Sequence, residues 1–395
     1  MAWYSYFLME SKRQYFVFLL NFRNLNLISP LKKGYTFTFK TYLLIAFLSL
    51  LVFGSVYISP EWIWFAGFMS WTIPLVLLVQ FIFCIYYIFL KTSFKVVFPL
   101  LMLALGWGHL RSTISFHAQH SPIENDNNFS VLSYNVRVFN TYDHLANENY
   151  ASSKEMVQWI IDKNADVICL QEFYNDSHSK VFNTLNKISK STHKQYFFSS
   201  SFTNRYGGDF GMTIFSKFPI IDKGVVAQDK ISNNQMIYVD VKIGKEIVRV
   251  YNIHLQSMSI KEEDVVNAGV DERSKVKLLS VAKNLKRGFI GRSKQLKLLI
   301  DHIELSPYKV LLCGDLNDLP YGNTYMRLSK LLVNAFEMKG RGFGFTYNGK
   351  IPFLRIDNQF VDKSIAVNQF AVFRNVKYSD HFPIWANYTL NKKEE

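Results

Sequence analysis

The sequence predicts an α+β fold: an α/β four-layer sandwich in which two packed, mostly antiparallel β-sheets are flanked by helices, preceded by N-terminal transmembrane helices. Three observations predict it. Up to about residue 111 the chain is dominated by Leu, Ile, Val, Phe, Trp and Tyr, whereas beyond about residue 125 it alternates as a soluble domain does. From Phe129 onward, short β-branched runs bounded by turn residues alternate with amphipathic ones. The roughly 265 residues of that part are enough for two sheets with helices on their outer faces.

The N-terminal part is read first. Residues 1–40 form a basic leader carrying Lys12, Arg13, Arg23, Lys32, Lys33 and Lys40. Residues 41–111 form the transmembrane region, with apolar stretches at 41–58, 63–90 and 96–110. A bilayer span takes about 20 residues, so the first two are long enough and the third needs its flanks. A cleaved signal peptide fits poorly, because some forty residues precede the first stretch and no small-residue cleavage site follows it. Basic residues mark cytoplasmic loops. The leader is basic, the first loop (SPEW) has Glu61 and no Lys or Arg, and Lys91 and Lys95 sit between the second and third stretches. Three spans then place the C-terminal domain outside the cytoplasm as part of an integral membrane protein; two would place it inside. Residues 112–128, including HAQHSPIENDNN, read as a polar linker, and 129–392 as the catalytic domain.

Within the soluble part, VLSYNVRVF is the first strand and ASSKEMVQWIIDKNA an amphipathic helix with Met156, Trp159 and Ile160 on one face. DVICLQEF and FGMTIFSKFPI follow as strands, then MIYVDVKIG and IVRVYNIHL as a hairpin turning through Gly244 and Lys245. A long basic helix over 271–305 leads into the strand KVLLCGDLND. A helix around 325–333, a loop with FTYNGK, and the strands LRIDNQFV, AVFRNVKYS and SDHFPIWANYTL complete the series. Cys84 falls in a span, and Cys169 and Cys313 in buried strands, so neither a disulfide framework nor a zinc site is expected. The net charge of +14 suits phosphate-bearing partners or an anionic membrane surface without choosing between them.

One feature recurs down this series. In KVLLCGDLNDLP a buried strand ends on Asp315, Asn317 and Asp318, residues that taken alone are turn formers. Yet five other strand ends carry the same excess of acids, amides or imidazoles: Asn135; Gln171 and Glu172; Asn252 and His254; Asp357; and Asp380 and His381. In extended chain, residues i and i+2 face the same way, so Asn252/His254 and Asp315/Asn317 each project two polar groups to one side.

The ordered series SYNVR, LQEF, GMTIFSKFPI, YNIHLQS, GDLNDLP, RIDNQF and SDHFPI resembles the endonuclease/exonuclease/phosphatase superfamily, the deoxyribonuclease I-like fold, over essentially all of residues 129–390. The resemblance implies hydrolysis of phosphate esters with a divalent cation, Mg2+ or alternatively Mn2+. Hard cations prefer carboxylate oxygen, and the resemblance puts Glu172 as principal ligand, with Asn135 beside it and Asp380 as a further carboxylate. It implies His381 as the base, oriented by Asp357; Asp315 on the attacking water; Asn317 on the phosphate; and His254 donating to a phosphate oxygen with Asn252 in support. Ser216 and Lys217 match a family position but suit a strand-ending turn equally well. Where the family commonly has an aromatic after R-I-D, this chain has Asn358 and Gln359.

Among phosphoesterases, the resemblance favours a nuclease acting on nucleic acid. The alternatives are a phosphatase or phospholipase-type diesterase acting on a phospholipid headgroup or nucleotide, and a silent binding module, against which the intact acids and histidines argue. The basic run at 273–297 is either a contact for nucleic-acid backbone or anionic lipid, or a solvated helix face.

Overall fold

The computed structural model describes residues 28–90, 93–117, 128–145, 149–228, 234–258 and 272–390. Lys12, Arg13, Arg23 and Lys91, and most of the expected linker at 112–128, lie outside them. The chain divides into two compact units at Leu51/Val52. The first holds most of helix α1 (Ile28–Ser55), whose window Thr38–Ser55 is long and apolar enough to cross a membrane. Leu43, Leu44, Phe47, Leu48, Leu50 and Leu51 are exposed along it.

In the second unit the two further apolar stretches are each broken. Helices α2 (Trp64–Ser70) and α3 (Ile73–Phe89) meet at 45°, and α4 (Ser93–Leu105) and α5 (Trp107–Thr113) at 56°. Pro74 stands in the first turn of α3, where its missing N–H is tolerated. Among the described residues one helix can therefore cross a membrane, or up to three if each bent pair is a single span.

The remaining chain forms β1 (Ser115–Phe116), β2 (Asn128–Asn135), α6 (Ala151–Lys163), β3 (Val167–Asn175), α7 (Thr184–Thr192), β4 (Gln195–Thr203), β5 (Asp209–Ser216), β6 (Ile220–Gln228), β7 (Gln235–Ile243) and β8 (Glu246–His254). After these come α8 (Glu272–Glu304), β9 (Lys309–Asp315), α9 (Asn323–Leu331), β10 (Val333–Asn334), α10 (Ala335–Lys339), β11 (Arg341–Gly342), β12 (Asp357–Val361), β13 (Ile365–Val372) and β14 (Ile384–Leu390). One six-stranded sheet runs β13-β14-β2-β3-β5-β4 and the other β10-β12-β9-β8-β7-β6. Only the central pairs, β2/β3 and β8/β9, are parallel. Strand β1 pairs with β11, so Ser115 and Phe116 are tied to the domain.

Three cores separate four layers. Alternate residues of the two sheets, such as Val131, Val167, Val248, Val250 and Leu311, meet between them. The other faces pack on helices: Ile168 and Leu170 with Met156 and Ile160 of α6, and Tyr251, Ile253 and Leu312 with Leu296, Leu299 and Ile303 of α8. The β7–β8 hairpin turns at Gly244, φ +60, as the sequence predicts.

The loop 56–63 is fastened to this domain. Asn323 Nδ2 donates to Val56 O (2.7 Å), and Ser293 Oγ donates to Glu61 Oε1 (2.9 Å). Helix α2 lies against α8 so closely that a Cβ on Gly67 would sit 2.6 Å from a ring carbon of Phe289.

Candidate active site

The space between the sheets is apolar at its centre and polar at one end, the C-terminal end of both parallel pairs. Strand register builds this end. His254 lies beside Asp315, and Asp315 beside Asp357, in one row across β8, β9 and β12. Asn135 lies beside Gln171 at the end of β2 and β3. A bulge after Leu170 then turns Glu172 out at φ +48, a backbone region costly for a side chain of that kind. Asn317 has the same φ of +48. Gly314 makes room for the row: at φ +138, a Cβ there would lie 2.0 Å from Ile253 O.

Asp315 is the hub, 1% exposed. Its Oδ2 lies 3.7 Å from Nε2 of His254 and 3.7 Å from Nε2 of His381, and accepts from Asn135 Nδ2 (3.3 Å). Its Oδ1 accepts the backbone N–H of Asn317 (2.8 Å). Asp357 Oδ2 bonds His381 Nδ1 at 2.9 Å, which leaves Nε2 as the nitrogen His381 presents to Asp315. Thr346 Oγ1 accepts the N–H of Asp357 and so fixes that carboxyl's backbone. Glu172, with a side chain 37% exposed, accepts from Asn135 Nδ2 (3.1 Å) and lies 3.7 Å from His254 Nε2.

Burial alone would lower the basicity of His381, but Asp357, Asp315 and Asp380 overcome it and push its pKa up to about 10. Burial likewise raises the Asp357 carboxyl, with His381 opposing. A histidine whose pKa is raised on folding stabilises the fold fully below its unfolded pKa of about 6.5, and that contribution fades as pH rises through the folded value. In chelator, the stability of the protein relative to His381→Gln is therefore expected to be constant below about pH 6.5 and to decline from there to about 10. Thermal midpoints of both proteins across that range check it; a difference that grows with pH would contradict it.

Three of the expected site residues are held by neighbours that define what each can do. Asn252 is fully buried, donates to Leu170 O (3.0 Å) and Thr213 O (2.9 Å), and accepts from Gln171 Nε2 (2.6 Å). It clamps one sheet to the other and has no group to spare for substrate. Asn135 turns its donor, not its oxygen, toward Glu172 and Asp315, while its Oδ1 accepts Arg137 N–H (3.1 Å); it positions carboxylates. Asp380, 34% exposed, stands at the rim, 3.7 Å from Arg137 Nε. Asn317 gives Nδ2 to Leu255 O (2.9 Å) but still lines the cavity. Ser216 bonds Phe218 in a local turn at the start of β3, away from this end. Gln359 also serves packing, bridging from β12 to Val131 O and Ile384 O.

The polar end opens into a cavity of about 480 Å3. Glu172, His254, Asp315, Asn317, Asp318, Asp380 and His381 contribute its polar lining. Sequence reasoning missed the rest of the wall: Phe68 and Trp71 from the hydrophobic N-terminal region, Met258, Val281 and Leu285 beside them, and Leu319, Ile351, Leu354 and Ile356. Hydropathy alone assigns Phe68 and Trp71 to a span. Tyr347, its ring 5.4 Å from that of His381, falls in a segment that the sequence marks only as loop.

A divalent cation fits these residues. Glu172, Asp315, Asp357 and Asp380 bring four carboxylates to one place against two imidazoles, an excess of negative charge that a hard cation balances. Glu172 Oε2 has no partner among the described residues, so the most exposed of these carboxylates is also the freest to bind one. Asp315, Asp357 and His381 also bring ligand atoms within 4.8 Å of one another, but Asp357 and His381 are already bonded together and the group is buried.

A family model described as Endonuclease/Exonuclease/phosphatase family matches residues 132–381, and the chain belongs to that family. The family's members hydrolyse phosphate esters with divalent metal. A second model, a domain of unknown function (DUF8431), matches residues 35–113. Sphingomyelinase C of Bacillus cereus is 28% identical over 181 residues, covering 41% of this chain and 54% of that protein, so the chain spans about half the length of the curated relatives it matches. Among solved structures, an endonuclease/exonuclease/phosphatase from Beutenbergia cavernae is similar (16% identity, 67% of this chain and 72% of that one, TM-score 0.49). So is a mannosyl-6-phosphatase of Bacteroides thetaiotaomicron (17% identity, 66% and 99%, TM-score 0.46).

Proposed function

We propose that the chain is a membrane-anchored, divalent-metal-dependent phosphodiesterase that acts on a phospholipid. The observation that carries this reading is the cavity itself: a floor of carboxylates and imidazoles under a wall that includes Phe68 and Trp71. Among the described residues no Lys or Arg lines it, whereas nucleic-acid backbone is bound through cationic contacts. The outer face of α8 fits a membrane surface, with Leu278 and Leu279 exposed among Lys277, Lys283, Lys286 and Arg287.

Glu172 is the residue proposed to hold Mg2+ or Mn2+, its carboxylate aimed by Asn135; the bound ion supplies positive charge to the phosphate oxygens. Asp315, between the two imidazoles, takes the proton of the attacking water. His254 and His381 present Nε2 to the phosphate, and Asp357 holds His381 in place. Asn317, which lines the cavity, keeps one amide hydrogen for a phosphate oxygen. Asp380 tunes His381 from the rim.

A nuclease reading keeps one observation in its favour. Arg137, Lys350 and Lys377 line an adjoining recess of about 540 Å3 that shares Tyr347 and Asp380 with the cavity. The two readings separate on a panel of phosphatidylcholine, sphingomyelin, phosphoinositides and plasmid DNA, assayed with the full chain in vesicles, with magnesium and with chelator. Magnesium-dependent release of a lipid headgroup is expected; cleavage of DNA with no lipid turned over would overturn the lipid reading.

We propose further that the catalytic domain lies outside the cytoplasm. The loop 56–63 is hydrogen-bonded to α8 and α9, so loop and domain share one side of the membrane. That condition is met by one crossing or three, and fails for two. With the basic leader cytoplasmic, an alkaline-phosphatase fusion after Glu395 is expected to be active in a bacterial host. An inactive fusion paired with an active cytoplasmic reporter would contradict this placement.

A further inference from the structure

The stretch 63–90 has the length and composition of a single span, yet it bends by 45° after Ser70 and uses its first part differently. Helix α2 is held to α8 by the close approach at Gly67 and by the rings of Trp71 and Phe289, 5.3 Å apart and inclined at 61°. Hydrogen bonds from Ser293 and Asn323 fix the loop just before it. The elbow is thus part of the catalytic body, and from it Phe68 and Trp71 face the same cavity as Glu172 and His254. Beyond the elbow, α3 continues with Leu75, Leu78, Phe81, Ile82 and Ile88 exposed. An apolar surface therefore runs from a membrane-type helix to within one cavity of the acids and imidazoles. The indole N–H of Trp71 has no hydrogen-bond partner among the described residues, and a buried donor in that state costs free energy until an acceptor arrives.

We propose that Phe68 and Trp71 are specificity-determining residues: the elbow is the wall against which a hydrocarbon chain of the lipid phosphodiester lies, and Trp71 Nε1–H donates to a carbonyl oxygen at the head of that chain. The inference rests on the lipid reading above. It adds that the hydrophobic N-terminal region completes the substrate site as well as anchoring it. The chemistry matches from end to end. The phosphodiester meets the polar floor, the ester or amide oxygen meets the indole, and the chain follows the apolar face out along α3.

The test uses the full chain in detergent micelles and two kinds of substrate, methyl p-nitrophenyl phosphate, which has no chain, and phosphatidylcholines of short and long acyl chains. The wild type is expected to favour long chains. In Phe68→Ala/Trp71→Ala the ratio of kcat/KM for long-chain lipid to that for the chainless diester should fall by about tenfold or more, mainly through KM, since burying one aromatic side chain alone is worth a factor of that order. Phe68→Leu/Trp71→Phe should restore most of the chain-length preference, while Trp71→Phe alone should show the smaller loss due to the N–H. A folded double-alanine protein that keeps the wild-type ratio overturns the inference and leaves the lipid reading standing, whether its rates are unchanged or fall equally on both substrates. Wild-type protein that cleaves the chainless diester but no lipid overturns the lipid reading, and this inference with it.

Discussion

Replacing Glu172 with Gln is expected to abolish metal-dependent turnover, by about a hundredfold or more, while leaving the fold intact. The substitution keeps the side chain's length and its bond from Asn135, and it does not change the strained φ of +48. It removes the charge on the most exposed carboxylate of a cavity whose excess of acids calls for a cation. Charge stabilisation of this type is commonly the largest single contribution to a phosphoryl-transfer rate. The measurement is turnover at limiting magnesium together with thermal midpoint. Near wild-type turnover by the variant would remove Glu172 from the metal site.

Asp315→Asn carries the second large effect. As a turn former alone, Asp315 would be replaced silently, because Asn keeps Oδ1 for the N–H of Asn317. Its Oδ2, however, stands 3.7 Å from two imidazole nitrogens, a place with no structural need for a charge at 1% exposure. Loss of a general base typically costs 10²–10⁴-fold, so kcat should fall by about that much while KM changes little. Unchanged turnover at full stability would return GDLND to the status of an ordinary turn.

Much of this site is legible in the sequence because strand periodicity is local. The i, i+2 rule places Asn252 with His254 on the inner face, and the register confirms that both face the other sheet. The rule says nothing of depth, and depth decides chemistry. Two residues inward, Asn252 is consumed by inter-sheet hydrogen bonds, while His254 at the strand end reaches the acids. The four layers follow from the alternation of runs such as VICLQEF, whose even and odd positions feed different cores.

The apolar wall was not legible, for a physical reason. Phe68 and Trp71 satisfy the hydropathy of a span, and hydropathy does not distinguish acyl chains from the side of α8 as the apolar partner. Only Gly67, whose missing Cβ admits Phe289, and Pro74, which opens α3, record the difference in the sequence, and neither is decisive without knowing what lies opposite. The direction of the Asn135 amide was equally out of reach, since it depends on the Arg137 N–H donating to its oxygen.

The proposed mechanism divides the labour in one cavity: Glu172 is to hold the metal, while Asp357 and His381 form a bonded pair that does not. Binding of Mn2+ to the full chain, followed by calorimetry or by the ion's electron paramagnetic resonance, tests it directly. Glu172→Gln is expected to lose the tight site and Asp357→Asn to retain it. Retention by Glu172→Gln with loss by Asp357→Asn would put the ion on Asp315, Asp357 and His381 and contradict the role given to Glu172.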